Sequence, residues 1–524
     1  SFMISKFLFQ KNNIFILFLL FFSIFINQHY GNRGVDPMDS FHFFDSGYRI
    51  LNGEVPFIDY WLVKGVLMDY IQAIFFYIFG ISWKSYVLHA SLFNALLTIS
   101  TFFVLKNFKL KTEFCFLYSL LFSILAYPSS GTPFIDHHSA FFSLLAIYSF
   151  LLAINNKKKL FWFLIPLCLF LGFLSKQVPA AYIIILISLV LIFYSFVQKK
   201  INYIKYFFSS SIFFLILILF FGKSQGITLS SFLEQHIFYP QSIGSERFNN
   251  LSFTYRGFID HFKFIYLSIA PLFYFNIKKI LTEKNYIKNN DFYVFVLLLA
   301  LTISLIFHQL LTKNQTFIFF LIPILCAFSQ ISLGQNKLKF KKLITSFIIL
   351  VCIFSTAKYH LRFNEHRKFH EMKNVNFNLT IDSKKIDKKF SGLNWISPGF
   401  AENPIDEINI INQIKSILKK DQRNKMVITN YSFLSAILDQ KLHSPSRVYT
   451  GDGTTHPLKG NKYAIKYKEL IDNVISKNNI SVIYIMNTTN ENINFHYVES
   501  YQYCSEEIFL LKELKSYELK NCNN

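Results

Sequence analysis

The chain consists largely of apolar runs of 15 to 21 residues, separated by short loops that are rich in lysine. Hydrophobic residues make up 52% of its 524 residues, and their side chains have more apolar surface than the core of one soluble domain can bury. The pattern therefore predicts an α-helical polytopic membrane protein. It predicts about eleven transmembrane helices, near residues 13–27, 85–105, 113–127, 139–154, 160–175, 180–197, 206–222, 264–280, 292–311, 316–333 and 343–357.

The basic residues predict how the chain is oriented in the membrane. With the N-terminus in the cytoplasm, the cytoplasmic loops carry about twice as many Lys and Arg residues as the outer loops, which are longer in total. This distribution follows the positive-inside rule. It also accounts for the formal net charge of +22, and because no basic and aromatic nucleic-acid motif accompanies that charge, no nucleic-acid partner is expected.

One further apolar run, residues 65–80, is too short to cross a membrane. As a helix it reaches about 24 Å, whereas the hydrocarbon core is about 30 Å thick. It also contains Asp69 and Gln72, which are costly in lipid. Counting it as a span would move every later lysine cluster to the outside. We therefore predict that it lies in the membrane interface, within the first external loop.

The tail beyond residue 357 differs from the rest of the chain because it is polar. It contains amphipathic helical patterns at 404–420 and 463–478 and strand-like runs at 426–431 and 481–486. This alternation predicts an extracytoplasmic α/β domain over 358–524, following a transmembrane domain over 1–357. Cys504 and Cys522 are candidates for a disulfide in this domain.

Short motifs between residues 39 and 177 point to a family. They are Asp39, RILNGEVPFID at 49–59, Lys64-Gly65, FYIFG at 76–80 and GFLSKQ at 172–177. In this order and spacing they resemble the GT-C superfamily of membrane glycosyltransferases, in particular the bacterial branch similar to protein O-mannosyltransferases and the lipid A aminoarabinose transferase. The resemblance covers about residues 10–200 by motif and 200–357 by architecture.

The resemblance implies an inverting glycosyltransferase that moves a sugar from a polyprenyl-phosphate donor to a lipid, glycan or protein acceptor of the cell envelope. It implies that the reaction takes place at the outer face of a bacterial inner membrane, with the tail periplasmic or extracellular. No nucleotide or other cofactor is expected because the donor carries its own activation. The resemblance leaves open whether a divalent metal takes part in the reaction.

Two carboxylates and two lysines are the main candidates for the chemistry. By position in the family, Asp39 is the general base that activates the acceptor, and Asp136 is the second catalytic acid, which orients the sugar or acceptor. Lys64 and Lys176 match the lysines that hold the donor phosphate. Two simpler interpretations stay open, namely that Asp39 caps the first interfacial helix and that Lys64 only extends toward lipid headgroups.

Further residues of the outer loops are candidates for substrate binding. They are Asp45, Asp59, His137, Glu234, Arg247 and Arg256, with His308 and Lys313 as residues that could line the cavity. His137 and His138 lie beside Asp136, but adjacent side chains rarely bind one ion, so no metal ligand is assigned.

Two other classes of protein compete with the enzyme. A transporter or flippase of lipid-linked sugars would carry functional charges at mid-membrane in broken helices, and often two similar halves. A non-catalytic scaffold would leave the outer carboxylates and lysines without a role. The candidate charges lie in the outer loops and no internal repeat is visible, so the sequence favours the transferase.

Overall fold

A computed structural model describes residues 11–249, 251–313, 317–487 and 503–521. The α-helices in chain order are α1 (Lys11–Gly31), α2 (Pro37–Ser40), α3 (His42–Leu51), α4 (Val66–Phe79), α5 (Trp83–Asn107), α6 (Thr112–Leu125), α7 (Ile135–Asn156), α8 (Lys159–Ser175), α9 (Gln177–Val197), α10 (Asn202–Ser224), α11 (Leu229–Phe232), α12 (Tyr239–Asn249), α13 (His261–Thr282), α14 (Asn290–Leu311), α15 (Leu321–Gly334), α16 (Lys341–Tyr359), α17 (Pro404–Lys420), α18 (Leu434–Leu438) and α19 (Ala464–Lys477). The strands are β1 (Ile381–Asp382), β2 (Asn394–Trp395), β3 (Lys425–Ile428), β4 (Val482–Met486), β5 (Tyr503–Leu511) and β6 (Leu514–Asn521).

Nine helices in the described ranges are long and apolar enough to cross a membrane. They are α1, α5, α6, α7, α9, α10, α13, α14 and α16, where short 3-10 or π-helical turns extend α6, α13 and α16. This confirms the predicted class, a helical integral membrane protein. Three apolar helices are shorter, namely α4, α8 and α15. The last two match runs that were predicted as spans, so the total of about eleven stays a prediction.

The chain forms two compact units. The first unit comprises residues 1–31, 90–217 and 250–369. In it α7 is the most enclosed of the long helices, with 89% of its apolar window buried. Small residues allow this close packing, since Gly172 of α8 approaches the Ser139 carbonyl and the Phe142 Cβ of α7. Most of α10, in contrast, is exposed and apolar, as expected of a helix that faces lipid.

The second unit comprises residues 32–89, 218–249 and 370–524. Its four-stranded sheet has the order β3-β4-β6-β5, in which β3 and β4 are parallel and the other pairs are antiparallel. Strands β3 and β4 are buried along their whole length, which explains why both are apolar apart from Lys425 at the start of β3. They lie at the two runs that were predicted as strands, and α17 and α19 lie at the two predicted helices.

The segment 32–65, which was predicted as the first external loop, is built into this sheet unit. Trp61 and Val63 from the loop and Tyr239 share a hydrophobic core with residues of the sheet and α19. Backbone hydrogen bonds join the same segments, for example from Trp61 N to Pro445 O at 2.8 Å and from Val35 N to Ile396 O at 2.9 Å. The loop and the tail therefore fold together. The predicted domain boundary at 357/358 stays a prediction.

Candidate functional site

Asp39 lies in the first turn of α2 and its side chain is partly exposed. The N-cap of this helix is Asp36, whose carboxylate accepts a hydrogen bond from Met38 N at 3.0 Å, and Pro37 occupies the first helical position. Helix α3 begins after Phe41 and has no side-chain cap. The interpretation of Asp39 as a helix cap is therefore wrong, because Asp36 has that role.

Asp36 is also a second acid beside Asp39. Burial, together with the negative charges of Asp39 and Glu371, raises the pKa of the Asp36 carboxyl to about 8, against the hydrogen bond from Met38 N. At neutral pH the Asp36 carboxyl therefore keeps its proton. The sequence places Ser40 directly after Asp39, so an acidic partner was not expected, but the helical turn supplies one three residues earlier.

Lys64 precedes α4 at a turn that requires glycine. Gly65 has a φ of +89°, which strains any residue with a Cβ, and it leads the chain from the loop into the helix. The Lys64 carbonyl accepts a hydrogen bond from the guanidinium of Arg447. Burial lowers the pKa of His42 to about 3, and the positive charges of Arg447 and Lys64 contribute to this shift. The positive charges of Lys64 and Arg447 therefore act on His42 within the second unit.

Helix α4 buries its polar side chains within its own unit. Asp69 is fully buried, accepts a hydrogen bond from Ser46 Oγ at 2.6 Å and forms an ion pair with Arg447. Gln72 Oε1 accepts a hydrogen bond from His89 Nδ1 at 2.9 Å. Burial raises the pKa of Asp69 to about 6, while the charge of Arg447 opposes the shift. The exposed side of α4 is apolar and consists of Ile74, Tyr77, Ile78 and Phe79.

A second charged cluster lies in the first unit and joins three candidate residues. Asp136 is in the first turn of α7, Lys176 lies between α8 and α9, and His308 is in the last turn of α14. Asp136 Oδ1 accepts hydrogen bonds from Lys176 Nζ at 2.5 Å and from His308 Nε2 at 3.0 Å. All three residues are buried, so the charges of Asp136 and Lys176 compensate each other.

The loop before Asp136 is held by a buried arginine. The guanidinium of Arg367 is 1% exposed and donates to the carbonyls of Pro128 at 3.0 Å and Ser130 at 2.8 Å. Gly131 follows with a φ of +78°, and a Cβ there would lie 2.6 Å from backbone atoms of Gly31. This packing fixes the start of α7, which carries Asp136.

The other candidate residues have mainly structural partners. Asp45 is buried and accepts from Ser435 Oγ at 2.6 Å, with Arg49 at 3.5 Å. His137 Nε2 pairs with Ser129 Oγ at 2.8 Å, whereas His138 Nδ1 pairs with Tyr127, so the two histidines have separate partners. In the described part of the chain, no three His, Cys, Asp or Glu side chains form a group suited to a metal ion.

The remaining candidates lie in the outer segments. Asp59 is buried and pairs with Lys477, while Glu234 is partly exposed in the π-helical turn Leu233–Phe238. Arg256 and Lys313 are exposed. Arg247 belongs to α12, but its side chain lies outside the described residues, as does the candidate disulfide between Cys504 and Cys522.

The candidates therefore divide between the two units. Asp136, Lys176, His137, His308 and Arg256 belong to the first unit. Asp39, Asp45, Asp59, Lys64 and Glu234 belong to the second unit. The joint action of Asp39 and Lys64 with Asp136 and Lys176 stays a prediction.

Three residues of these clusters, namely Asp36, His42 and Arg447, were not identified as candidates from the sequence. Asp36 could have been found, because Asp followed by Pro before a short helix is a capping pattern. His42 and Arg447 had no such pattern. Arg447 meets Asp69 across 378 residues of sequence, and nothing local to either residue identifies the partner.

Comparison of the chain with protein-family models gives no matching family, and comparison with curated proteins gives no match. The function is therefore argued from the residues and their geometry.

Proposed function

We propose that this protein is a membrane glycosyltransferase of the GT-C type. It would transfer a sugar from a polyprenyl-phosphate donor to a lipid, glycan or protein acceptor at the outer face of a bacterial inner membrane. The observation that carries the proposal is the construction of α4, which supports a surface location for Asp39 and Lys64. Both residues belong to the segment that leads into this helix.

Helix α4 has the properties of a helix that lies in the membrane interface. Its 14 residues reach about 21 Å, which is less than the hydrocarbon thickness of about 30 Å. Asp69 and Gln72 are paired on the buried side, while the opposite side exposes a row of large apolar side chains. Such a helix inserts its apolar side into the headgroup boundary. The loop before it then lies where a lipid phosphate would be presented.

The number of apolar helices supports the same interpretation. The first external loop and the tail share one core, so both must lie on the same side of a membrane. Ten apolar helices, α5 to α10 and α13 to α16, lie between them in the chain. Ten crossings return the chain to the same side, whereas an eleventh crossing by α4 would separate the two segments. With α1, this supports eleven spans that place the N-terminus and the tail on opposite sides of the membrane. The lysine-rich loops then favour a cytoplasmic N-terminus and an extracytoplasmic tail.

The charges at the loop suit transfer from an activated donor. The phosphate of a polyprenyl-phosphate sugar is already a good leaving group, so the main requirement is to activate the acceptor hydroxyl or amine. Asp39 would take the proton from the acceptor as its oxygen or nitrogen bonds to the sugar carbon. The bond from that carbon to the phosphate oxygen breaks, and the polyprenyl phosphate leaves with its charge compensated by Lys64.

The Asp36 carboxyl makes the acidic pair asymmetric. Because the pKa of Asp36 is raised and Asp39 contributes to that shift, the two carboxyl groups together favour a single negative charge near neutral pH. This arrangement avoids two adjacent carboxylates at a place that must also receive an anionic phosphate. It also gives Asp39 a neighbour that is not a competing base.

The transporter or flippase hypothesis finds less support. It requires functional charges near mid-membrane. The buried cluster of Asp136, Lys176 and His308 instead lies at helix ends, in the first turn of α7, between α8 and α9, and in the last turn of α14. A cluster at helix ends favours chemistry at one face of the membrane.

The test uses the full chain in lipid nanodiscs with undecaprenyl-phosphate hexoses as donors and an envelope extract as acceptor. We expect release of undecaprenyl phosphate, and a loss of about 100-fold or more in the Asp39→Asn variant because a general base is worth that much. Glu402→Gln removes an exposed carboxylate of the same unit and should keep full activity. Equal rates for Asp39→Asn and the wild type would exclude Asp39 as the base, and no release from any donor would contradict the proposal.

A further inference from the structure

A groove of about 290 Å³ lies on the second unit, and neither of the charged clusters lines it. Three segments form it, namely the first external loop at 57–61, the π-helical turn at 234–235 and helix α19. Its volume is close to the lower end of the range for small-molecule sites. The groove is therefore large enough for a ligand of mono- or disaccharide size.

The groove has a rigid base. The side chain of Gln235 is buried and bridges the loop, since its Oε1 accepts from Leu62 N and its Nε2 donates to Phe57 O, both at 2.8 Å. Asp59 is also buried and accepts from Val55 N and from Lys477 Nζ, both at 2.7 Å. These bonds fix the base before any ligand binds, which lowers the ordering cost of binding.

The wall of the groove alternates hydrogen-bond acceptors with donors. Acceptors are the carboxylates of Asp59, Glu234 and Glu469, and donors are the ammonium groups of Lys466 and Lys477. The exposed amide of Asn473 can do both. Hydroxyl groups match such a wall because each one both donates and accepts.

The rest of the lining consists of apolar side chains and one indole N–H group that has no hydrogen-bond partner among the described residues. Ile58 and Leu470 are partly buried apolar side chains that suit the C–H groups of a sugar ring. Trp61 also lines the groove, is 2% exposed, and its indole Nε1 has no hydrogen-bond partner among the described residues. A buried donor without a partner costs free energy, so a hydroxyl group that came within hydrogen-bond distance of it would be stabilised.

We propose that this groove binds a sugar ring of the glycan acceptor. The assignment as acceptor site rests on the proposed transferase function, whereas sugar binding does not. Carboxylates outnumber ammonium groups in the lining, so a phosphate or another anion is disfavoured. The polar wall likewise disfavours a lipid tail, because hydrocarbon would desolvate the Asp59–Lys477 and Lys466–Glu469 ion pairs without offering them hydrogen bonds.

The test measures binding to the full chain in nanodiscs by saturation-transfer difference NMR, with maltotriose, mannotriose and chitotriose as probes and trilysine as a cationic peptide. Asn473→Trp fills the groove from an exposed position of α19. Ser476→Trp adds the same side chain at an exposed position of the same helix that does not line the groove. We expect Asn473→Trp to weaken sugar binding about tenfold or more, and Ser476→Trp to leave it unchanged.

Three results would overturn the proposal. The first is that no trisaccharide binds, and the second is that wild type and Asn473→Trp bind the sugars equally. The third is that Asn473→Trp weakens the binding of trilysine alone, which would identify a peptide site. Failure of the transferase function is recognised separately. The Asp39→Asn variant should lose transfer but keep sugar binding, whereas Asn473→Trp should lose sugar binding.

Discussion

The ion pair between Asp69 and Arg447 should decide whether α4 stays docked on the second unit. Asp69 is fully buried and the Arg447 side chain is 9% exposed. Asp69→Asn keeps the volume of the side chain but leaves the guanidinium without its counter-charge. Removing one partner of a buried pair costs about 3–5 kcal/mol, because the remaining charge stays buried without compensation. Replacing both residues by leucine should recover much of this loss, because no charge is then left buried.

Hydrogen exchange of the α4 amides in the full chain measures this effect locally. Local opening sets the exchange rate, so a loss of about 3 kcal/mol should speed exchange by about two orders of magnitude. Asp382→Asn is the matched control, because Asp382 pairs with Lys384 at 4.0 Å and both side chains are more than half exposed. Such a pair is worth about 1 kcal/mol or less, so the control should change exchange little.

Similar exchange rates in Asp69→Asn and Asp382→Asn would refute the reasoning. The buried ion pair would then not hold α4 in place. The paired polar side of α4 would lose its value as support for an interfacial helix, and the surface location of Asp39 and Lys64 would need another basis.

Two further predictions concern a titration and a tight backbone contact. Because the pKa of Asp36 is raised from 3.8 to about 8, the folded state holds a proton that the unfolded state releases. The stabilisation from the Asp36 carboxyl is complete below about pH 4 and is lost as the pH rises through about 8. The melting temperature should therefore fall less between pH 5 and pH 8 in Asp36→Asn than in the wild type. An equal fall in the two proteins would contradict the raised pKa of Asp36. Gly131→Ala should destabilise the chain by about 1–3 kcal/mol or more, measured as a lower melting temperature, because φ is +78° and a Cβ would lie 2.6 Å from Gly31. Gly334→Ala meets nothing within 4 Å and is the control; equal melting temperatures for the two variants would argue against the contact.

Periodicity was sufficient for four elements of the tail and for the apolar helices. The predicted helices at 404–420 and 463–478 correspond to α17 and α19, and the strand-like runs overlap β3 and β4, whereas β1, β2, α18, β5 and β6 were not predicted. The four predicted elements could be identified because the spacing of apolar residues reports which side of an element is buried. The candidate cluster of Asp136, Lys176 and His308 was partly predictable, because charged residues next to apolar spans are rare enough to be noticed.

The pairing of those charges was not predictable. Lys176 forms an ion pair with Asp136, which is 40 residues away in sequence, and its predicted role at a donor phosphate stays a prediction. The alternative interpretation of Asp39 as a helix cap was wrong, because the residue before the proline at the first helical position has that role. Local patterns identify candidate groups but not the distance between them.

The amino-acid sequence by itself determined that the protein is a helical integral membrane protein, because apolar runs of this length are stable mainly in lipid. Only the tertiary structure decided that the first external loop and the tail form one unit and that Asp69 meets Arg447. The physical reason is that apolar periodicity requires a side chain to be covered but does not specify what covers it. That choice depends on packing between segments separated by hundreds of residues.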